Sequence, residues 1–372
     1  NVTQVKPGRV PDPGGAVDDT DDTDDTPGRK PRMATMEALS VAIGVSRPTL
    51  SRYFQDPSRL KPSTCERIRQ GLERVEYVPN FFATRMNRKS TGMIGVIIPY
   101  LNDLFFTRLL ESIEIAAMRR GYTVIVQCSH SDPAIEARAA ETFLSMNVDG
   151  ALVAPLGNNS DYEVHERLNA RMPFVLVDSR PRSMSDVDFV GTDHRQSTSL
   201  ITDYLCRVGQ PPAFLAMPRV NFNAMAREQA YIGRMKELGH EPTVIGTEPI
   251  RDDWLFEAHG QGVLEGQFSR GAFTDRSILC VNDRVAIGAL RAAARHGLRP
   301  GQGAEGGLRI AGHDGYPLCQ FVTPALTTIA QDVTGIGRAA IDVLVKKIRG
   351  ENTETSPHIQ LFAGALKVRE SA

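Results

Sequence analysis

The chain has 372 residues, enough for two or three domains, and its 41% hydrophobic and 23% charged content is that of a soluble protein. No apolar run reaches the roughly 18 residues of a membrane span, and no signal peptide opens the chain. Its five cysteines are scattered and form no C-x-x-C pair. We therefore predict no membrane association, no disulfide framework, no zinc site and a reducing, cytoplasmic location.

Charge is distributed unevenly along the chain. Residues 33–92 contain ten lysines and arginines against five acidic residues, whereas the rest of the chain is acidic overall. Residues 1–32 are rich in Pro, Gly, Asp and Thr without apolar periodicity, which predicts a disordered acidic tail. A basic block beside an acidic body is typical of nucleic-acid-binding proteins, although a basic face is often only a solvated one.

Helix signals follow one another between residues 33 and 79. Thr35 is a predicted N-cap of a first helix, which Gly44 ends. Ser46 is the predicted cap of a second helix, and Ser63 with Glu66 forms a predicted capping box for a third. The short connection between the first two helices predicts a helix-turn-helix, although three short helices could also form a plain bundle.

From residue 93 the pattern changes to alternating strands and helices. Seven short apolar segments predict strands, at 93–98, 122–128, 150–154, 173–178, 212–217, 277–281 and 308–312. Helical patterns lie between them, at 105–119, 134–146, 195–207, 225–238 and 284–296. This alternation predicts an α/β body with mainly parallel sheets. About 280 residues are too many for one such sheet, so we predict two doubly wound lobes with a ligand cleft between them.

Several segments resemble the LacI/GalR family of bacterial transcription regulators. TMEALSVAIGVSRPTLSRYF (35–54) and EYVPN (76–80) are similar to the start of that family. GVIIP with NDLFF (95–106), VNDRVAIGALR (281–291), RIAGHD (309–314) and PALTTI (324–329) are similar to later family segments, in the same order. The resemblance covers about 330 residues. It implies a ligand-controlled repressor, not an enzyme, that needs no cofactor.

The resemblance also implies a division of the chain. Behind the tail (1–32) it places a helix-turn-helix DNA-binding domain (33–79), a hinge (80–92) and an effector-binding and dimerisation domain with a periplasmic-binding-protein-like fold (93–372). The first lobe is expected to comprise about 93–190 and 321–350, and the second about 191–320 and 355–370. The implied assembly is a homodimer on a pseudo-palindromic operator, with 105–119 and 284–296 as the pairing helices. A tetramer is not expected, because the chain ends without a leucine heptad.

The resemblance assigns DNA contacts to the first two helices. The expected contact residues are Thr35, Ser46, Arg47, Pro48, Thr49, Ser51 and Arg52. The hydroxyls of Ser46 and Thr49 at a helix N-terminus suit phosphate oxygens. Arg52 is similar to the family's base-reading arginine, which can bond O6 and N7 of a guanine together. Arg47 either reads a base or contacts a phosphate.

Residues 80–89 resemble the family's hinge, which enters the minor groove. Asn80, Ala83, Met86 and Lys89 are the expected contacts. Ala83 and Met86 occupy the inserting positions, and Met86 stands where the family usually has leucine. Lys89 is expected on a flanking phosphate. The alternative is an ordinary hydrophobic linker.

The resemblance assigns an effector pocket to the body. Its expected polar residues are Asp178, Arg227, Asn282 and Asp314, which together suit vicinal hydroxyls. Trp254, Phe105 and Phe106 are expected to line the cleft, and core packing is the alternative for each. His313 stands where the family usually has an aromatic residue.

A sugar or sugar derivative is the expected effector. A purine is the alternative, but VNFNAMA (220–226), just before Arg227, lacks the basic residue that a purine pocket of this family would want. A sugar-binding transport receptor would need a signal peptide and no DNA-binding head. An α/β enzyme would need a phosphate fingerprint or a catalytic constellation, and the sequence contains neither.

Overall fold

The computed structural model describes residues 30–79, 90–157, 160–218, 222–247, 255–301, 307–351 and 356–372. The chain forms two compact units, residues 1–88 and 89–372, referred to below as the head and the body. No helix within the described ranges is long and apolar enough to cross a membrane.

The head contains the three predicted helices, α1 (Met36–Ile43), α2 (Arg47–Gln55) and α3 (Pro62–Arg74). The Thr35 hydroxyl accepts a hydrogen bond from the Ala38 N–H at 3.1 Å, and Gly44 ends α1 with a φ of 69°. The helices close over a small apolar core in which the fully or almost fully buried residues are Leu39, Val45, Leu50, Ile68 and Val75. The sharp connection between α1 and α2 confirms the helix-turn-helix prediction.

The start of α3 differs from the prediction. Pro62 opens the helix and Lys61 is its N-cap, so Ser63 lies inside the first turn and caps nothing. The Glu66 carboxylate accepts hydrogen bonds from Arg69 and Gln70 on the same helix. Proline fits the first helical position because its φ is preset and that position needs no N–H, and the helix therefore begins before the predicted cap.

The head also begins before the predicted end of the tail at residue 32. The Glu76 N–H donates to the Pro31 carbonyl at 2.9 Å, and the Met33 N–H donates to the Glu76 carbonyl at 2.8 Å. Arg32 thus forms a parallel bridge with Glu76. Composition could not reveal this pairing, because it uses only backbone groups.

The body contains two six-stranded sheets, as the predicted two-lobed α/β fold requires. The strands are β1 (Met93–Ile98), β2 (Thr123–Cys128), β3 (Gly150–Val153), β4 (Phe174–Val177), β5 (Phe189–Thr192), β6 (Ala213–Leu215), β7 (Thr243–Ile245), β8 (Ser277–Cys280), β9 (Arg309–Asp314), β10 (Thr327–Ala330), β11 (Ile359–Phe362) and β12 (Ala365–Lys367). The first sheet has the order β11-β5-β4-β3-β1-β2 and is parallel throughout. The second has the order β12-β10-β9-β8-β6-β7, and only β12 runs antiparallel.

In the part of the body that the structure describes, eight α-helices cover these sheets. They are α4 (Leu104–Met118), α5 (Pro133–Met146), α6 (Tyr162–Arg171), α7 (His194–Val208), α8 (Phe222–Glu237), α9 (Phe256–Phe268), α10 (Asp283–Arg295) and α11 (Val333–Ile348). The seven predicted strands and five predicted helices are all present, with ends shifted by up to three residues. The sequence pattern missed five strands, β5, β7, β10, β11 and β12, which are only three or four residues long.

Two C-terminal strands belong to the lobe opposite to the one expected. β10, expected in the first lobe, pairs with β9 in the second sheet. β11, expected in the second lobe, pairs with β5 in the first sheet. A hydrophobic pattern can mark a strand but not the sheet it joins, because hydrogen-bond partners distant in sequence decide that.

Candidate functional site

Helix α2 turns its polar side to solvent, as predicted for a recognition helix. Arg47, Pro48 and Arg52 are exposed, Thr49 and Ser51 are half-buried, and Leu50 is fully buried between the helices. Arg47 lies 3.7 Å from the Glu37 carboxylate in an exposed ion pair. The side chains of α2 that are expected to contact DNA are therefore exposed or half-buried, and Leu50 between them is directed into the core.

Ser46 is the N-cap residue of α2 but makes no side-chain capping bond. Its hydroxyl lies 2.8 Å from the Thr49 hydroxyl, and its carbonyl accepts from the Thr49 and Leu50 N–H groups. Thr35, also exposed, caps the neighbouring helix α1. The N-terminus of α2 thus carries two adjacent hydroxyls, a suitable surface for a phosphate oxygen.

Five predicted contacts lie outside the described residues. These are Asn80, Ala83, Met86 and Lys89 of the hinge, and Trp254 of the body. Their assignments remain predictions.

The polar residues of the body converge at the carboxyl ends of strands from both sheets. Asp178 follows β4 of the first sheet, whereas Asn282 and Asp314 stand at the ends of β8 and β9 of the second. A cavity of about 50 Å³ lies between the lobes here. The six predicted effector residues that the structure describes all line it, namely Phe105, Phe106, Asp178, Arg227, Asn282 and Asp314.

Arg227, on the first turns of α8, is buried, and its guanidinium contacts three partners. Its guanidinium lies 2.9 Å from the Asp314 carboxylate and donates to the Val281 carbonyl at 2.9 Å and to Nδ1 of His194 at 3.4 Å. Three partners on different elements fix the orientation of the side chain. Because Asp314 balances its charge, the pair can be buried in the pocket wall.

Asp178 and Asp314 both have left-handed backbone conformations, with φ of 67° and 128°. Such positions are rare for non-glycine residues and concentrate at functional sites. Asn223 donates to Asp178 at 2.9 Å, and Gln331 donates to Asp314 at 2.7 Å. The two carboxylates are thereby aimed toward the space between the lobes.

Burial, together with the charge of Asp314, raises the pKa of Asp178 to about 7 against the opposing effect of Arg227. The pKa of Asp314 is raised too, mainly by burial, although Arg227 lowers it. The pocket therefore contains two buried carboxyl groups whose charged forms are disfavoured. A ligand whose hydroxyls or cationic groups face these carboxylates would stabilise their charged forms.

Asn282, Phe105 and Phe106 line the cavity and also make contacts that stabilise the fold. The Asn282 side-chain oxygen accepts from the Val285 N–H at 2.8 Å and so caps α10, while its amide group faces Sδ of Met217 at 3.4 Å. Phe105 and Phe106 pack edge to face, 5.3 Å apart, and are both largely buried. Core packing and cavity lining are thus not exclusive for these side chains.

His313 does not line the cavity. Its Nε2 lies 3.0 Å from the Ser197 hydroxyl, and its ring is 5.8 Å from that of His194. Burial and the nearby Arg227 lower its pKa well below the ordinary value, so the ring is neutral. His313 therefore packs against Ser197 and His194 of α7 and not against the cavity.

The sequence analysis missed several side chains that line the cavity. They are Asp103, Met217, Asn223, Phe256, Tyr316 and Gln331. Asp103 and Tyr316 stand beside residues that were singled out, within NDLFF and just after RIAGHD. Their proximity to these segments was the only available signal, because the contact between them joins residues more than 200 positions apart.

Comparisons with known proteins agree with this architecture. Residues 206–372 match the periplasmic binding protein-like domain family. The HTH-type transcriptional regulator MalR of Streptomyces coelicolor is 26% identical over 340 residues, which cover 90% of this chain and 95% of MalR.

Solved structures with the same fold include two that are bound to ligands. A lac repressor dimer bound to operator and the anti-inducer ONPF superposes with a TM-score of 0.78 at 23% identity, covering 92% of this chain and 99% of the repressor chain. A complex of the transcriptional regulator CelR with cellobiose gives a TM-score of 0.63 at 21% identity, with 91% and 100% covered.

Proposed function

We propose that this chain, which belongs to the LacI/GalR family of bacterial transcription regulators, is a sequence-specific DNA-binding repressor controlled by a small effector bound between its two lobes. The observation that carries the proposal is one cavity lined by Asp178, Arg227, Asn282 and Asp314 from both lobes, in a chain that also has a helix-turn-helix head. The protein acts by binding, without catalysis or a cofactor.

The effector is a sugar or a sugar derivative. Carboxylate, amide and guanidinium groups together offer both acceptors and donors, which suits a ligand with several hydroxyls. Phe105, Phe106 and Phe256 add apolar surface to the same cavity, suited to the C–H face of a sugar ring. The cellobiose complex of CelR, which has the same fold, supports this class of ligand.

A purine is the alternative effector. Among the described residues just before Arg227, Asn223 lines the cavity and no basic side chain does, so an acidic or carbonyl edge of a purine would find no additional cation among them. This observation favours the sugar. Binding of a purine and of no sugar would reverse the choice.

The functional unit is a homodimer whose two heads bind the half-sites of a pseudo-palindromic operator. The solved lac repressor, a dimer bound to operator, supports this assembly. Ile115 and Met118 on α4 and Val126 on the edge strand β2 expose apolar side chains that a second copy could cover. Helix α10, also expected at the interface, is largely buried within the second lobe. In the segment that follows β9, Leu318 and Phe321 expose apolar side chains.

Binding of effector between the lobes changes their relative position and thereby the spacing of the two hinges. Effector and operator affinities are then linked, and each ligand changes the affinity of the other by the same factor. The proposal is tested by a thermal-shift screen of sugars, sugar acids, polyols and purines on the full chain. A gel shift on the DNA upstream of the neighbouring genes, with a nonspecific duplex as competitor, follows with each compound that binds. Failure to bind any duplex specifically would refute the DNA-binding function.

A further inference from the structure

A buried hydrogen bond joins the two lobes beside the cavity. The Tyr316 hydroxyl, in the loop after β9 of the second lobe, donates to Oδ1 of Asp103 in the first lobe at 2.7 Å. Oδ2 of the same carboxylate lies 3.3 Å from the Arg284 guanidinium of the second lobe. Asp103 and Tyr316 are 5% and 3% exposed, so water does not compete for this bond.

Both ends of this contact are held rigidly within their own lobes. Asp103 caps α4 by accepting from the Phe105 N–H at 2.9 Å, on the helix that carries Phe105 and Phe106 into the cavity. In the second lobe the Tyr316 N–H donates to the buried Asp283 carboxylate at 2.9 Å. Arg284 is clamped by Glu257 and lies over the Phe256 ring, 4.8 Å from its centroid. Separation of the lobes therefore must break the contact, since neither side can follow the other.

The cavity itself shows why such a contact matters for ligand access. At about 50 Å³ it has room for only a few water molecules, each of which needs roughly 10–15 Å³ on this measure. A sugar can enter only when the lobes move apart. Tyr316 and Asp103 both line the cavity, so their bond lies across the cleft that must open.

We propose that Tyr316 and Asp103, with Arg284, form a latch that sets how often the effector cleft opens. The latch bond exists only in the closed arrangement, so its loss raises the population of the open one. A hydrogen bond to a buried carboxylate is strong enough that this increase is about tenfold. Access and release of a ligand both accelerate as a result. Both residues are positioning residues, because they act by holding the lobes together.

The test is hydrogen–deuterium exchange of the full chain without DNA or added ligand, so it does not depend on the identity of the effector. Tyr316→Phe removes only the donor hydroxyl, and Asp103→Ser keeps a helix-capping side chain too short to reach Tyr316. For each variant, the exchange rate is measured in the lobe that does not carry the substitution. This is residues 104–109 for Tyr316→Phe and residues 314–318 for Asp103→Ser. We expect about tenfold faster exchange in both, with strand β1 unchanged. The double variant should exchange no faster than Asp103→Ser alone, because that substitution already removes both the Tyr316 bond and the Arg284 contact.

Tyr204→Phe is the matched control. The Tyr204 hydroxyl donates to the Ala372 carbonyl at 2.9 Å, within the second lobe, and its loss should leave exchange at the cleft unchanged. Unchanged exchange in the opposite lobe of either latch variant, or additive effects in the double variant, would overturn the latch. Either result would leave the proposed repressor function standing, because that function is tested separately by DNA and sugar binding.

Discussion

Arg227 is the central polar residue of the pocket because it touches three partners and balances Asp314. We predict that Arg227→Lys, which keeps the charge but not the planar fork, weakens sugar binding about 100-fold and leaves operator binding largely intact. Arg227→Ala should abolish the response and also cost about 3–5 kcal/mol of stability, since Asp314 then remains buried without its ion pair.

Calorimetry of the full chain with the sugar found in the screen measures this effect. Arg234→Ala is the matched control, because Arg234 lies on the same helix, is paired with Asp203 and does not line the cavity. Sugar binding that survives both Arg227 variants would show that the pocket is misassigned.

Asp178 makes the stability of the body depend on pH. Its pKa is raised from 3.8 to about 7, so between these values the folded chain holds a proton that the unfolded chain has released. The contribution of this group to stability therefore falls as pH rises from about 4 to 7. Asp178→Asn, which tolerates the left-handed backbone, should raise Tm at pH 7.5 by about 3 °C and flatten its pH dependence.

Thermal unfolding followed at several pH values checks this prediction. Asp186→Asn, at an exposed position, serves as the control and should leave the pH profile as it is. A steeper fall of Tm with rising pH in Asp178→Asn than in the parent chain would contradict the assigned role of burial.

Under the proposed function, helix α2 is the element that determines operator specificity. Arg52 is exposed on it, while Leu50 anchors the opposite side in the core. We predict that Arg52→Ala costs about 1–3 kcal/mol of operator affinity and relaxes specificity at one base pair per half-site. Lys89→Ala should instead weaken binding to all DNA about equally and lower the salt slope by about one. Binding-site selection with each variant separates the two effects, and an unaltered base preference in Arg52→Ala would refute the placement of the recognition helix.

Helices α9 and α10 pack against each other at two glycines. A Cβ on Gly288 would lie 2.0 Å from the Glu257 carbonyl oxygen, and one on Gly260 would lie 2.2 Å from that of Val285. Gly288→Ala should therefore force the helices apart and destabilise the body by about 3 kcal/mol. Gly266→Ala, also on α9 but facing open space, should stabilise it by about 0.5–1 kcal/mol. Chemical denaturation measures both, and equal effects would contradict this packing.

Elements with a strong local signal could be predicted from the sequence, whereas contacts between distant segments could not. Thr35 and Gly44 bound α1 as expected because capping depends on neighbouring residues. The sheet joined by β10 and β11 and the contact of Tyr316 with Asp103 depend on partners far along the chain. The six predicted effector residues that the structure describes line one cavity, and the family resemblance allowed them to be grouped because it supplied what local patterns lack. The hinge contacts and Trp254 remain predictions.

The body as a whole connects chemistry at the cavity to the arrangement of its lobes. The chain crosses between the lobes at three places, and at the crossover strands the Thr192 hydroxyl donates to Gln331, which in turn donates to Asp314. A ligand that contacts Asp178 on one side and Asp314 on the other therefore acts on both lobes at once. Such a ligand can shift the lobe equilibrium only by its difference in affinity between the two arrangements.

The most direct test of the central claim is a linkage measurement on the full chain. An operator duplex is first selected from random DNA, and its affinity is then measured with and without each sugar that binds the protein. We predict that at least one sugar changes operator affinity about tenfold or more, and that the operator changes the affinity of that sugar by the same factor in the same direction. Operator affinity that no sugar alters, or that only a purine alters, would contradict the account.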